Sequence, residues 1–186
     1  MPRTPNPTPD EILDEMSLMS ARVSLAQAEL ILRIQENLPG VITKHNQAEN
    51  YTPRQALPTG QKVEPAPAKI YDDNFIGKIL VGITGDAQAE GIGGAFSGVS
   101  RVTIYVVDQA LKSGHQVKVQ WELIELIRGV LFTFAGGVLD SQDRQVWRKL
   151  TPGPYMLLDA DFAPGYSGTQ SEFTLLQMPA EDSLWG

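Results

Sequence analysis

The stretch GDAQAEGIGGAFSG, residues 85–98, is the part of the sequence that comes nearest to a cofactor-binding motif. Glycine-rich loops bind phosphate when they leave a strand and enter a helix, whose first N–H groups face the anion. Here both flanking segments have strand character, and the third glycine of a GxGxxG motif would fall on Phe96. We therefore predict a connection between antiparallel strands and no bound cofactor.

The stretch GYSGT at 165–169 invites comparison with the nucleophile elbow GxSxG, whose serine attacks an acyl carbon. Thr169 stands where the last glycine should be, and the stretch lies between two predicted strands instead of between a strand and a helix. The sequence has no cysteine, and its two histidines, His45 and His115, have no HExxH motif or tight carboxylate cluster beside them. We expect no nucleophile at Ser167 and no metal site, and we interpret the histidines as exposed loop or cap residues.

Two pairs of carboxylates have a spacing that general acid–base catalysis can use. Glu122 and Glu125 stand one turn apart on a predicted helix, and Asp159 and Asp161 share one face of a predicted strand. Solvated carboxylates on polar faces explain both pairs, and Arg128, three residues after Glu125, suits an ion pair with it. The sequence predicts no catalytic residue, and we expect a protein that is not an enzyme.

The charge of the chain argues against a nucleic-acid-binding surface. The chain has fifteen Lys and Arg residues and twenty-two Asp and Glu residues, so its formal net charge is −7. This negative charge repels a phosphate backbone. Trp147 is therefore predicted in the core or an interface, and Asp140, Asp143 and Arg144 in a hydrogen-bonded turn or a charged patch. No apolar run approaches the ~18 residues of a membrane span, and the lack of cysteine fits a reducing cytoplasm.

The N-terminal region is predicted to be helical. The residues TPDE at 8–11 indicate a helix start, because they combine an N-cap, an N1 proline and a capping box. A second capping box follows at 24–27, and Pro39-Gly40 is a stop signal. We predict helices at 9–20 and 25–38, with one continuous helix as the alternative.

The remaining segments predict a sheet and one further helix. Residues 46–69 are polar and proline-dotted and are interpreted as a long excursion or a loose hairpin. Strands are predicted at 75–84, 99–107, 154–162 and 170–178, and the main helix, with a wide apolar face, at 115–135. Together they indicate an α+β fold: a mainly antiparallel sheet of four or more strands, with two principal helices packed on one face and an N-terminal helical arm.

Three regions follow from this reading: the arm at 1–24, a single domain at 25–179, and a C-terminal tail at 180–186. Certain apolar residues on polar or terminal segments need something to pack against. They are the predicted interface residues: Ile12, Met16, Met19 and Val23 on the arm, Phe96 in the glycine-rich stretch, and Leu184 and Trp185 in the tail.

The order of elements resembles the tail-terminator, or tail-completion, proteins of tailed bacteriophages, especially those of Mu-like phages and prophages with contractile tails. The resemblance covers about residues 25–178, and the arm extends beyond it. It rests on LAQAELILRIQENLPGV, KILVGITG, VTIYVV, WELIELIRGVL and LTPGPYMLLDADFAPGYSGTQSEFTLLQ.

The resemblance implies a structural virion protein of the tail or neck, made in the host cytoplasm. Its subunits would form a hexameric ring that caps the tail tube, ends tube polymerisation and joins the tail to the head-side connector or neck protein. The implied partners are further copies of the chain, the tube protein, in some tails the sheath, and DNA that passes through the lumen without specific binding. The arm and the stretches at 46–69 and 85–98 are the parts that would reach neighbouring subunits.

Two other interpretations stay open at this point. The first is another head–tail connector, neck protein or tail adaptor, because such proteins also have small α/β subunits with arms. The second is a small ligand-binding module or hydrolase that uses the glycine-rich stretch or the Asp159 and Asp161 pair.

Overall fold

The computed structural model describes residues 9–86, 98–108, 114–141, 143 and 145–177, and only the backbone at 9–22, 85–86 and 114–117. Two helices, seven strands and one 3-10 turn are described in these ranges. In chain order they are α1 (Pro9–Ala48), β1 (Val63–Pro65), the 3-10 turn (Asp73–Phe75), β2 (Ile79–Asp86), β3 (Val99–Asp108), α2 (Gly114–Phe132), β4 (Val138–Leu139), β5 (Gln145–Trp147), β6 (Lys149–Leu157) and β7 (Ser167–Leu176).

Five of the strands form one mixed sheet in the order β1-β2-β3-β7-β6. Strand β1 is parallel to β2, and the other neighbours are antiparallel. The predicted α+β class is confirmed, although the sheet is mixed and not purely antiparallel. Strands β2 and β3 pair from Ile79 and Val106 to Asp86 and Val99, so the glycine-rich stretch connects adjacent antiparallel strands as predicted. Residues 87–97 of that stretch lie outside the described residues.

The first helix is one continuous element of 40 residues, and the prediction of two helices is wrong. Its core-facing residues recur every fourth position, and all are buried: Ala26, Leu30, Ile34, Leu38 and Ile42. Leu38 and Ile42 lie on either side of Pro39, which is itself exposed. The buried stripe of the helix therefore continues past the predicted helix end. Proline has no N–H, so one helix carbonyl in the preceding turn loses its hydrogen-bond partner, and on this exposed face water can replace it. Tertiary packing of the buried stripe then outweighs the helix-breaking tendency of the proline. The predicted cap residue Gln27 donates instead from Nε2 to the Val81 carbonyl at 2.7 Å.

The main core lies between both helices and one face of the sheet, as predicted. Helix α2 contributes a buried stripe, and β2, β3 and β7 contribute alternate residues from the facing side of the sheet. The opposite face carries a smaller cluster, in which Leu80 and Val107 pack against Ile70 and Ala163 from irregular segments. The molecule therefore has two layers, with the second face of the sheet partly covered by loops.

Strand β6 begins five residues before its predicted start. Pro152 and Pro154 are tolerated in this strand because β6 is an edge strand, where a missing N–H costs no ladder hydrogen bond. The ladder with β7 shifts register between Pro152 and Tyr155, which is a β-bulge. The strand also ends before Asp159 and Asp161, so the prediction that these two share one strand face is wrong.

Three short strands were missed by the sequence analysis. The short strand β1 lies inside the polar stretch at 46–69, whose first residues belong to α1. Strands β4 and β5 form a small second sheet, closed by a turn in which the Asp143 N–H donates to the Asp140 carbonyl at 3.1 Å. Trp147 is fully buried and donates from Nε1 to the Phe134 carbonyl, which confirms its predicted place in the core.

Candidate assembly surface

Strand β6 presents the largest run of exposed apolar side chains on the sheet. Tyr155, Met156 and Leu157 are consecutive and are 41%, 39% and 59% exposed. Among the described residues, β7 is the only strand that pairs with β6. Large apolar side chains beside an unpaired strand edge are typical of surfaces that pair with another chain. We call this surface, residues 149–157, the β6 edge.

The backbone of the β6 edge also has unused hydrogen-bonding groups. Just beyond the strand, the Leu158 N–H donates to the Gly168 carbonyl of β7 at 2.9 Å. Because antiparallel pairing alternates along a strand, the N–H and C=O groups of Leu157 and Tyr155 point away from β7. The C-terminal half of the β6 edge therefore offers the donors and acceptors of Tyr155 and Leu157 together with apolar side chains. At the start of the edge the Leu150 N–H donates to the Ala135 carbonyl at 3.0 Å.

Arg128 of helix α2 fixes the bulge in the middle of β6. Its Nη1 atom donates to the Gly153 carbonyl at 2.9 Å and to Ser171 Oγ at 2.6 Å. The guanidinium also lies 5.0 Å from the ring centroid of Tyr155 and 5.7 Å from that of Phe173, within the range of a cation–π contact. The bulge is thus held to the helix layer by a half-buried cation.

Tyr155 is further ordered by two other residues of α2. Its ring meets Trp121 edge to face at 5.1 Å, and its hydroxyl donates to Glu125 Oε1 at 3.2 Å. The expected ion pair between Glu125 and Arg128 is replaced by these contacts, in which both charged groups reach β6. An exposed tyrosine that is already ordered loses little conformational entropy when a partner covers it.

The opposite edge of the sheet differs sharply from the β6 edge. Strand β1 is three residues long and ends in Pro65, which has no N–H to donate. Its outward-pointing Val63 carbonyl accepts a hydrogen bond from Gln35 Nε2 at 3.0 Å. The β1 edge of the sheet is therefore closed by its own chain, and the β6 edge is open at Tyr155, Met156 and Leu157.

A polar cluster joins the C-terminal end of α1 to α2. The Tyr51 hydroxyl donates to Glu122 Oε1 at 2.7 Å, and Lys118 Nζ donates to that hydroxyl at 3.0 Å. His45 Nε2 lies 3.7 Å from Glu122 Oε2, and the His45 ring meets Tyr51 edge to face. His45 lies in the last turn of α1 with its side chain 23% exposed, so it is at a helix end but more buried than the predicted exposed loop or cap residue. The side chain of His115 is outside the described residues.

The charges of this cluster stabilise one another. Burial alone would raise the pKa of Glu122, but hydrogen bonds from Tyr51 and Lys118 outweigh burial and lower it. The same hydrogen bonds, to Tyr51 first and to Glu122 second, raise the pKa of Lys118. Tyr51 also lines an open, polar depression of about 580 Å³ with residues such as Asn46 and Asn50. The arrangement is that of a structural clamp, with each charged group paired inside it.

The other residues tested for chemistry have structural roles. Asp159 Oδ1 accepts from the Asp161 N–H at 2.8 Å, which shapes the turn after β6. Ser167 opens strand β7, so a strand and not a helix follows it. Among the described residues, no group of three or more His, Cys, Asp or Glu side chains is arranged so that it could hold a metal ion.

The predicted interface residues are only partly within the described structure. Val23 is half-buried on α1, and the backbone of Ile12, Met16 and Met19 is helical in the same element. Phe96, Leu184 and Trp185 lie outside the described residues. The sequence analysis did not predict Tyr155, Met156 and Leu157 as interface residues. The run YMLL beside two prolines was the available signal, because apolar residues next to prolines indicate an edge strand.

Comparison of the chain with protein families and with curated proteins gives no match. Within the described ranges, neither helix combines the length and the apolar composition needed to cross a membrane.

Proposed function

We propose that this protein is a tail terminator of a tailed bacteriophage. In this role it joins further copies of itself in a hexameric ring in the virion tail or neck, caps the tail tube and ends its polymerisation. The ring then offers its other face to the head-side connector. The protein acts by assembly and not as an enzyme.

The observation that carries the proposal is the difference between the two edges of the sheet. The C-terminal half of the β6 edge has exposed apolar side chains and outward-pointing backbone groups at Tyr155 and Leu157, whereas the β1 edge is closed by Pro65 and Gln35. When an open edge joins an unlike surface on a neighbouring copy, the contact is heterologous, and such contacts close into rings when the rotation between subunits is right.

The element order and the charge of the chain support the same role. Two helices on one face of an α+β sheet agree with the fold that the resemblance to tail terminators implies. A net charge of −7 suits the wall of a channel through which DNA slides without binding. The charged residues of the polar cluster that joins α1 to α2 are paired with one another, which fits a structural subunit.

The test uses the tail-tube protein of the phage or prophage that encodes this chain. The tube protein is polymerised alone and with increasing amounts of the full-length chain, and tube lengths are measured by negative-stain electron microscopy. We expect shorter tubes with a narrower length distribution when the chain is present. The same lengths with and without the chain would contradict the proposed function.

The matched control variants carry the same substitution at two exposed leucines. Leu157 is on the β6 edge and is 59% exposed, whereas Leu139 on β4 is 52% exposed. Leu157→Asp is expected to weaken capping, and Leu139→Asp is expected to cap like the native chain. Both residues are exposed, so both variants should keep the native far-ultraviolet circular dichroism.

A further inference from the structure

We propose that the C-terminal tail, residues 178–186, adds as a strand to the β6 edge of a neighbouring copy. This inference rests on the proposed ring, and it identifies the segment that joins one subunit to the next. The occupant of the edge is thus a second copy of this chain, contributed through its last nine residues.

The tail has the composition that the β6 edge requires. Its sequence is MPAEDSLWG, with Leu184 and Trp185 adjacent near the end. A strand added to a sheet edge makes backbone hydrogen bonds and places its side chains beside those of the acceptor. Tyr155 and Leu157 supply an apolar acceptor of matching size.

Chain length decides between the tail's own β6 edge and that of a neighbour. Met156 pairs with Gln170 of β7. Gln170 is seven residues before Gln177, the last residue before the tail. A tail on its own β6 edge must cross two strand spacings, about 10 Å, and then run about 23 Å back along the strand. Leu184 is seven residues after Gln177, and seven extended residues span at most about 25 Å. The path around the end of β6 and along the strand to Met156 is roughly 33 Å. Its own tail therefore falls short of Met156, whereas a neighbour's tail is not limited in this way.

Charge selects the direction of the added strand. Glu181 and Asp182 precede Leu184 in the tail. An antiparallel strand would place these carboxylates beyond the end of β6, near Asp159 and Asp161, where like charges repel. A parallel strand places them towards the bulge that Arg128 holds, so the parallel direction is favoured.

The test exploits the absence of cysteine from the native sequence. The full-length double variant Met156→Cys with Leu184→Cys introduces the only two thiols and leaves Leu157 and Trp185 in place. A disulfide requires the two Cβ atoms to approach to about 3.8 Å. After mild oxidation, non-reducing electrophoresis separates links between chains from links within a chain.

The matched control pairs Leu184→Cys with Leu139→Cys, since Leu139 is exposed but lies on β4. We expect a ladder of covalent oligomers from the Met156 pair and at least a tenfold lower yield from the control pair. A link within one chain, equal yields from the two pairs, or no link at all would overturn the proposal. Dimers from the single variant Met156→Cys at the same yield would also overturn it, because they would mean that two β6 edges pair with each other.

A solution measurement gives an independent answer. Leu157→Asp should raise the Kd for self-association at least about tenfold in sedimentation velocity, and Leu139→Asp should leave it unchanged; a tenfold change corresponds to about 1.4 kcal/mol. Equal effects of the two variants would contradict the docking proposal. The tube-length assay with the native chain gives its own result, so the proposed function can hold even when the tail is not the joining segment.

Discussion

Gly168 occupies a position in the sheet where a larger residue has no room. It lies between β3 and β6, with a φ of +156°, and an added Cβ would overlap with the Val106 carbonyl oxygen. A Cβ there would also meet Leu158 Cδ2 at 3.3 Å. This glycine belongs to the stretch GYSGT, and its role in the sheet is close packing.

The expected cost of Gly168→Ala follows from this geometry. Overpacking a well-packed site costs about 1–3 kcal/mol, and a backbone conformation that residues with a Cβ rarely adopt costs about 1–2 kcal/mol. The sum of about 2–5 kcal/mol is a large part of the roughly 5–15 kcal/mol by which a domain is stable. With a urea m-value of about 2 kcal/mol/M, the unfolding midpoint should fall by about 1–2.5 M.

Equilibrium unfolding in urea, followed by tryptophan fluorescence, measures this shift, because Trp147 is fully buried and reports on the core. Gly165→Ala is the matched control: its φ is +83°, and nothing lies within 4 Å of the added Cβ. The control should lower the midpoint by no more than about 0.5 M, because strain is partly offset by a less flexible unfolded chain. An unchanged midpoint for Gly168→Ala would refute the assigned register of β3, β7 and β6.

Three further predictions concern stability. Arg128→Met should lower the free energy of unfolding by about 2–3 kcal/mol, because it removes charged hydrogen bonds to both β6 and β7; urea unfolding with no loss would contradict the role given to the bulge. Glu122→Gln should cost about 0.5–1 kcal/mol at pH 7. Because folding lowers the Glu122 pKa below 4.5, that contribution is present above pH 4.5 and is lost as pH falls through the folded-state value. The gap between native and variant melting temperatures should therefore close in acid, and a gap that widens there would reverse the assigned direction. Pro39→Ala should raise stability by about 1–3 kcal/mol, since a proline is unfavourable inside a continuous helix; a lower melting temperature would indicate that the helix does not continue there.

The elements with a complete local pattern were predicted from the sequence. Helix α2 is described at Gly114–Phe132 against a predicted 115–135, because its apolar face is wide and its end is marked by glycines. The hairpin of β2 and β3 was also predicted, since β-branched residues fill both strands. In these elements local preference and tertiary packing point the same way.

The errors occurred where tertiary packing outweighs a local signal. Pro39 and Gly40 predicted a helix end, but Leu38 and Ile42 continue the buried stripe across them. Strand β6 begins before its predicted start and contains two prolines, which its edge position makes harmless. A sequence does not state which strand lies at an edge, because strand order depends on contacts between distant segments.

The β6 edge was missed for the same reason. The exposure of Tyr155, Met156 and Leu157 follows from their place at the end of the strand order, which only the folded sheet defines. The contacts of Arg128 with Gly153 and Ser171 also join segments far apart in sequence.

The location of the protein on assembled tubes tests the central claim most directly. Tail tubes are assembled with the full-length chain carrying a single gold label and are imaged by electron microscopy. The proposed function predicts a label at one end of each tube and none along the wall. Labels distributed along the wall, or tubes without labels at either end, would contradict it.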